Sequence, residues 1–274
     1  MSRTSAREIE AFRRSIRRYY RLHARAFPWR ETSDPYAILV SEIMLQQTQT
    51  ERVVPKYTDF LRRFPAITAL ADAPVIAVLR AWRGLGYNRR ALALKRCAEE
   101  VVVRYGGVIP DDRDALKALP GIGNYTAGAI ALFAFGRRGV FIETNIRTVF
   151  IHSFFSKQRA VRDDDIVPLI EQTLPRTKVR EWYYALMDYG VMLKRTVPGI
   201  TQRSAHYIKQ TPFRGSRREI RGAILRLLTE RAGCTRGAIK NAVRCDGVVL
   251  GGVLKELSQE GFITFSRGMY RCRR

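Results

Sequence analysis

The sequence predicts an all-α protein that ends in a small winged-helix-like α+β module, and three observations carry that prediction. Most of the 274-residue chain reads as helical stretches separated by short breaks such as "RFPAITALADAP", "RYGGVIPDD" and "LPGIGNY". The segment "KQTPFRGSR" then carries Pro, Gly, Ser and charge without apolar periodicity, as a linker does. Beyond it, "REIRGAILRLLTERAG", "TRGAIKNAV" and "GGVLKELSQEG" read as three short helices, and "FITFSRGMYRC" as two alternating strands around a Ser-Arg-Gly turn. We therefore divide the chain into a helical domain at 1–212, a linker at 213–217 and a basic module at 218–274, with the boundary near Ser216.

Composition narrows the function classes. The chain is 46% hydrophobic, enough to bury one large core or two smaller ones without disulfide or metal staples. Its 49 Lys and Arg against 25 Asp and Glu give a formal charge of +24, an excess that points to a polyanionic partner, nucleic acid first. A membrane surface is the rival, but no long basic amphipathic helix stands out, and no membrane partner is expected. No apolar run approaches the ~18 residues of a membrane span, and "MSRTSAREIEAFRRSIRRYYRLHARAF" lacks a signal-peptide core, so the protein is read as cytoplasmic and nucleoid-associated. Cys97, Cys234, Cys245 and Cys272 are too scattered for a zinc or iron-sulfur spacing and are taken as buried thiols.

The run "DPYAILVSEIML" is apolar on almost every side once wound as a helix, which marks a buried helix. Glu42 shares the stripe of Ile38 and Leu45 within it, and Gln46, Gln47 and Gln49 follow. A carboxyl desolvated there has its pKa raised and is suited to act as a general acid, although a buried salt bridge to Arg is the plainer alternative. Further on, "ALKALP" and "YTAGAIALFAFG" read as helices flanking a hairpin built on Gly121 and Gly123. Such a hairpin lets the backbone approach an anion, and the helix N-terminus at Asn124, Tyr125 and Thr126 directs its positive dipole end the same way. That is a sequence-independent phosphate grip. From Thr201 to the end there are sixteen Lys and Arg against five Asp and Glu, a net +11. The third helix of the last module is placed to enter a major groove and the hairpin to touch backbone, or the module only packs.

Taken together and in order, "FPWRETSDPYAILVSEIMLQQTQT", "WRGLGYNRRA", "LPGIGNYTAGAIALFAFG" and "ETNIRTVF" resemble the helix-hairpin-helix (HhH-GPD) DNA glycosylase superfamily that includes endonuclease III, and within it the MutY-type adenine DNA glycosylases. The resemblance runs from about Phe27 to about Leu193 and implies a two-lobed helix-hairpin-helix core. It places the catalytic glutamate on Glu42, which would protonate the departing base. It places wedge residues, which fill the gap left by a flipped base, on Gln47 and Gln46. Tyr87 resembles the aromatic beside the mismatch, and Asn145 and Arg147 keep the family pattern as a carboxylate-orienting amide and a structural or phosphate-side cation.

The chain also departs from the pattern. The family's sugar-side carboxylate opens a D-x-N-V motif, whereas the matching stretch "ETNIRTV" carries Glu143, one methylene longer. The lyase lysine of bifunctional relatives is replaced by Tyr125, which implies a monofunctional enzyme leaving an abasic site. Lys194 stands where the first of four cluster cysteines would fall, so no iron-sulfur cluster and no other cofactor or metal is expected, and the loop after it should be held by packing around Tyr207 and Phe213. The last ~55 residues are too short for a Nudix-like reader of 8-oxoguanine. The expected function is thus base excision repair by a monomeric, monofunctional DNA glycosylase acting on mismatched or damaged double-stranded DNA. Adenine opposite guanine or 8-oxoguanine is the first substrate. Uracil, thymine or hypoxanthine is the alternative, and a catalytically dead DNA-binding protein the second.

Overall fold

The computed structural model describes residues 5–273, so the outermost residues of the two sequence-based segments, 1–4 and 274, lie outside the described residues. Among the described residues there are fourteen α-helices and one two-stranded antiparallel sheet. In chain order they are α1 (Ala6–His23), α2 (Pro35–Leu45), α3 (Thr50–Arg63), α4 (Ile67–Asp72), α5 (Val75–Trp82), α6 (Arg89–Tyr105), α7 (Arg113–Lys117) and α8 (Asn124–Phe135). There follow α9 (Thr144–Phe154), α10 (Asp163–Thr173), α11 (Val179–Thr196), α12 (Arg217–Glu230), α13 (Arg236–Val243) and α14 (Gly247–Gln259), then β1 (Ile263–Ser266) and β2 (Met269–Cys272). The helices form two compact units. The first comprises the chain up to Ile38, Asp111–Lys117 and Ile122–Lys209, and the second Leu39–Pro110, Ala118–Gly121 and Gln210–Arg274.

The first unit is built around α9 and α11. α1 starts on a capping box, in which the Glu8 N–H donates to Ser5 Oγ and the Ser5 N–H to the Glu8 carboxylate. Its buried stripe then brings Phe12 against Phe150 and Phe154 of α9 and Trp182 of α11, with ring centroids 5.3, 5.0 and 5.9 Å away. Asp188, buried on α11, is clasped by Arg25 Nε at 2.7 Å and by both terminal nitrogens of Arg30 at 2.8 and 2.9 Å. A buried carboxylate is tolerable only with this kind of multiple pairing.

α6 forms the spine of the second unit, with Leu94, Cys97 and Val101 fully buried among α4, α5 and their neighbours Phe60, Leu70 and Trp82. It stops at Gly106, whose left-handed φ of 60° closes the helix with an N–H to the Val101 carbonyl. The C-terminal module shows the three helices and hairpin read from the sequence. Ser216, Thr235 and Asp246 cap α12, α13 and α14 through their side chains. Strands β1 and β2 pair from Ile263↔Cys272 to Ser266↔Met269, and Arg267 and Gly268, both at positive φ (50° and 73°), make the two-residue turn between them. Cys234 adds a bridge to Tyr270, the short third strand of a winged helix.

Two expectations are corrected. Tyr207 and Phe213 are exposed, so they do not anchor the segment after α11. That segment is held by buried Ile200, by the bridge between Val161 and Ser204, and by Arg203 donating to the carbonyls of Phe155 and Gln158. Of the four thiols, Cys97, Cys234 and Cys272 are buried and Cys245 only partly so. Burial pushes Cys97 up to about 12 and Cys272 up to about 11, which keeps both protonated and inert. No described helix is long and apolar enough to cross a membrane.

Candidate active site

α2 begins where the Tyr36 and Ala37 N–H groups donate to the Asp34 carboxylate, and then buries every residue from Tyr36 to Met44. Glu42 is only 5% exposed, and Ile38, Leu39, Ile43 and Met44 of the same helix are each at 1% or less. The helix therefore carries a buried carboxyl on a largely apolar sequence.

The stretch after α2 turns back sharply. Gln47 is exposed and adopts φ 54°, a left-handed conformation costly for a side-chain-bearing residue, and Tyr87 in the GLGY turn does the same at φ 47° while 37% exposed. One buried guanidinium holds both turns of this second unit. Arg90 Nη1 donates to the carbonyls of Ile43 and Met44 at 3.0 and 2.8 Å and to that of Gln46, while Nη2 reaches Thr48 Oγ1 at 2.9 Å and the Gly86 carbonyl at 3.2 Å. It thus satisfies the last carbonyls of α2, which have no intrahelical partner. Its Cζ lies 5.5 Å from the Tyr87 ring centroid and 5.4 Å from that of Trp82. Burial lowers its pKa to about 10, still well above neutrality, so it remains a cation. Sequence reasoning missed Arg90: an arginine in the first turn of a basic helix carries no mark of burial.

The hairpin glycines behave differently from each other. Gly121 holds φ +79°, and a Cβ there would lie 2.8 Å from that of Ala93, so the turn tolerates only glycine. Gly123 is the N-cap of α8 and has nothing within 4 Å of where its Cβ would be, which leaves the start of α8 and exposed Asn124 open to approach. Thr126 is buried, so any role in binding rests on its backbone. Tyr125, half-buried, packs edge-on against Phe141 at 5.8 Å, and Phe141 stacks on Tyr183 at 3.9 Å.

The first unit also fixes Glu143. It is the N-cap of α9, with Oε1 accepting the Ile146 N–H at 2.9 Å and Oε2 accepting from Asn145 Nδ2 at 3.0 Å. Asn145 thus hydrogen-bonds the carboxylate, and its own Oδ1 is buried without a hydrogen-bond partner among the described residues. The pair rests on α11 at Gly190, where a Cβ would come 2.3 Å from the Asn145 carbonyl oxygen. Arg147 donates from Nε and Nη2 to the Asp163 carboxylate at 2.6 and 2.8 Å. Among the described residues no cluster of three or more His, Cys, Asp or Glu is placed to hold a metal ion.

Comparison with known proteins identifies the family. Residues 40–169 match the HhH-GPD superfamily base excision DNA repair protein family. An adenine DNA glycosylase of Mycobacterium tuberculosis (strain CDC 1551 / Oshkosh) is 41% identical over 179 residues, 63% of this chain and 58% of that one. This chain thus spans less than two thirds of that relative. A thymine/uracil-DNA glycosylase of Pyrobaculum aerophilum is 36% identical over 186 residues, 65% of this chain and 81% of that one. The solved structure of a thermostable thymine-DNA glycosylase superposes with a TM-score of 0.62 at 29% identity, covering 68% of this chain and 87% of that one. With the ordered motifs in place and four fifths of such a relative matched, the chain belongs to the HhH-GPD superfamily of base excision DNA repair proteins.

Proposed function

We propose that the protein is a monofunctional DNA glycosylase that flips a mispaired base out of double-stranded DNA and hydrolyses its N-glycosidic bond, with adenine opposite guanine or 8-oxoguanine as first substrate. The observation that carries this reading is Glu42, a carboxyl 5% exposed on an apolar helix. Burial works against the charged form of a carboxyl, and a protonated carboxyl at this position would donate a proton to a purine nitrogen as the bond to the sugar breaks. Glu143, oriented by Asn145 and the start of α9, then stabilises the positive charge left on the sugar, and water completes the hydrolysis. Tyr125 has no amine with which to form a Schiff base, so the product is an abasic site in an unbroken strand.

Gln47 and Gln46 fill the vacated position in the stack, Tyr87 stands beside the base pair, and Gly121, Gly123, Asn124 and the Thr126 backbone grip phosphate. The enzyme acts as a monomer at the nucleoid and carries no iron-sulfur cluster. A cluster needs thiolate ligands, and its segment offers Lys194 and no cysteine. Adenine is favoured by the 41% identity to the mycobacterial adenine glycosylase. A second reading, uracil or thymine from deamination, is favoured by the 81% coverage of the Pyrobaculum thymine/uracil glycosylase.

Single-turnover base release on duplexes carrying A, U, T or hypoxanthine opposite each partner, developed with and without alkali, separates these. Adenine product opposite guanine or 8-oxoguanine that appears only after alkali is the expected result. Product confined to U, T or hypoxanthine would transfer the assignment to deaminated bases, and strand cleavage without alkali would overturn the monofunctional reading.

A further inference from the structure

The C-terminal module carries five carboxylates, and each is engaged by a backbone N–H or by arginines. Glu219 accepts the Gly215 N–H at 2.6 Å, Asp246 caps α14, Glu230 pairs with Arg83, Glu256 with Arg217 and Arg221, and Glu260 with Arg89 and Arg221. In a winged helix the third helix usually reads a groove. Here that helix is α14, and it is poorly equipped to do so. Gly251 and Gly252 present no side chain and lie beneath the guanidinium groups of Arg236 and Arg217, Val248 is apolar and exposed, and the Asp246 carboxylate occupies the N-terminal end. That carboxylate is taken up by the Val248 and Val249 N–H groups, and its charge repels the phosphate backbone.

The module is instead joined to the GLGY turn within the same unit, at two points. Arg218 on α12 donates from Nη1 to the Tyr87 hydroxyl at 3.2 Å and from Nη2 to the Thr211 carbonyl at 2.6 Å. Arg89, two residues after Tyr87, forms a two-pronged pair with Glu260 at 3.0 and 2.7 Å, and Glu260 also receives Arg221 at 2.5 Å. Tyr87 is therefore held at its ring by Arg90 and at its hydroxyl by Arg218, and its strained, exposed backbone keeps it at the surface.

We propose that Arg218 is a positioning residue for base recognition: through the Tyr87 hydroxyl, the C-terminal module sets the pose of the aromatic that stands against the base pair, so opposite-base discrimination depends on a helix outside the core motifs. This rests on the glycosylase reading above. Stacking on an aromatic is by itself tolerant of which base it meets, so any selectivity comes from the angle and depth at which the ring is held, and fixing its hydroxyl from a neighbouring helix sets both without a new base contact.

A double-mutant cycle with the full chain tests this, using Arg218→Met, Tyr87→Phe and the pair, and reading single-turnover release on adenine opposite guanine, 8-oxoguanine and cytosine. Both single changes remove the Arg218–Tyr87 hydrogen bond, and Arg218→Met also frees the Thr211 carbonyl; each should slow release from the best duplex about tenfold and narrow the ratio between best and second-best partner, while the pair also stays at about tenfold, the non-additivity expected of residues in contact. Effects that multiply to about a hundredfold, or a discrimination ratio unchanged by Tyr87→Phe, overturn the proposal. Tyr87→Phe removes a single oxygen and keeps the answer readable if Arg218→Met folds poorly. Wild-type protein silent on every duplex would instead sink the glycosylase reading, and this inference with it.

Discussion

Glu143 shows how one methylene can be absorbed. Aspartate is the usual N-cap because its short arm reaches the N2 or N3 N–H, yet here the longer side chain both caps α9 at Ile146 and meets Asn145. Glu143→Asp should keep a good cap and hold stability within about 0.5 kcal/mol by urea unfolding. By withdrawing the carboxylate roughly a bond length, it should still lower single-turnover release on the order of ten- to a hundredfold. A variant as fast as the parent would mean that this carboxylate caps and does nothing more. Arg90 makes the converse case. Its planar fork serves carbonyls in two turns at once, and a lysine ammonium offers three donors from one point. Arg90→Lys should therefore destabilise by at least about 2 kcal/mol, through carbonyls left unpaired, and loosen the turns of Gln47 and Tyr87. Urea unfolding reads the first effect, and proteolytic nicking near Gln47 the second.

At the scale of elements, the contact between α9 and α11 is set by a missing side chain. Gly190→Ala must drive a methyl against the Asn145 carbonyl oxygen, since the clear distance is only 2.3 Å and the obstacle is backbone. The helices must separate, at about 1–3 kcal/mol, and Asn145 and Glu143 move with the start of α9. The expected result is a lowered melting temperature together with a release rate that falls more than DNA affinity does. Equal losses in both would argue that Glu143 acts only in binding. Elements were the most legible level of this protein. The helices of the C-terminal module, the Ser-Arg-Gly hairpin and the glycine turn before α8 each carry a local chemical mark, and Glu42 was conspicuous as a carboxyl inside an apolar helix. Gly190 and Arg90 were not, because what fixes them is the approach of a segment 45 or more residues away, or of two turns at once. Tyr207 and Phe213 misled for the opposite reason: aromatic residues in a linker region look like anchors, and single exposed aromatics are ordinary.

For the whole molecule, the sequence revealed the change of grammar near Ser216 and the excess of positive charge, but not which distant segments form one compact unit. That grouping depends on non-local packing, as in the return of Gln210–Arg274 to the unit containing Leu39–Pro110. Stability has a pH limit of the same non-local origin. Burial alone would raise the carboxyl of Asp188, but Arg30 and Arg25 outweigh it and hold the group below the ordinary aspartate value. A group lowered on folding contributes its full stability above its unfolded value, near about 3.9, and loses it as pH falls through the folded one. Melting temperature should accordingly be level from neutrality to about pH 5 and drop below about pH 4. Asp188→Asn should cost about 3 kcal/mol at neutral pH and flatten that acid drop, and an unchanged acid limb would assign it to other carboxylates. The central claim concerns Glu42, and the most direct measurement compares Glu42→Gln with the parent protein in single-turnover release and in DNA binding on the same adenine mismatch. We expect binding to persist within about twofold and release to fall by about a hundredfold or more, the usual worth of a general acid. Full release by the variant would contradict the account, because it would leave the buried carboxyl of α2 without a part in the chemistry.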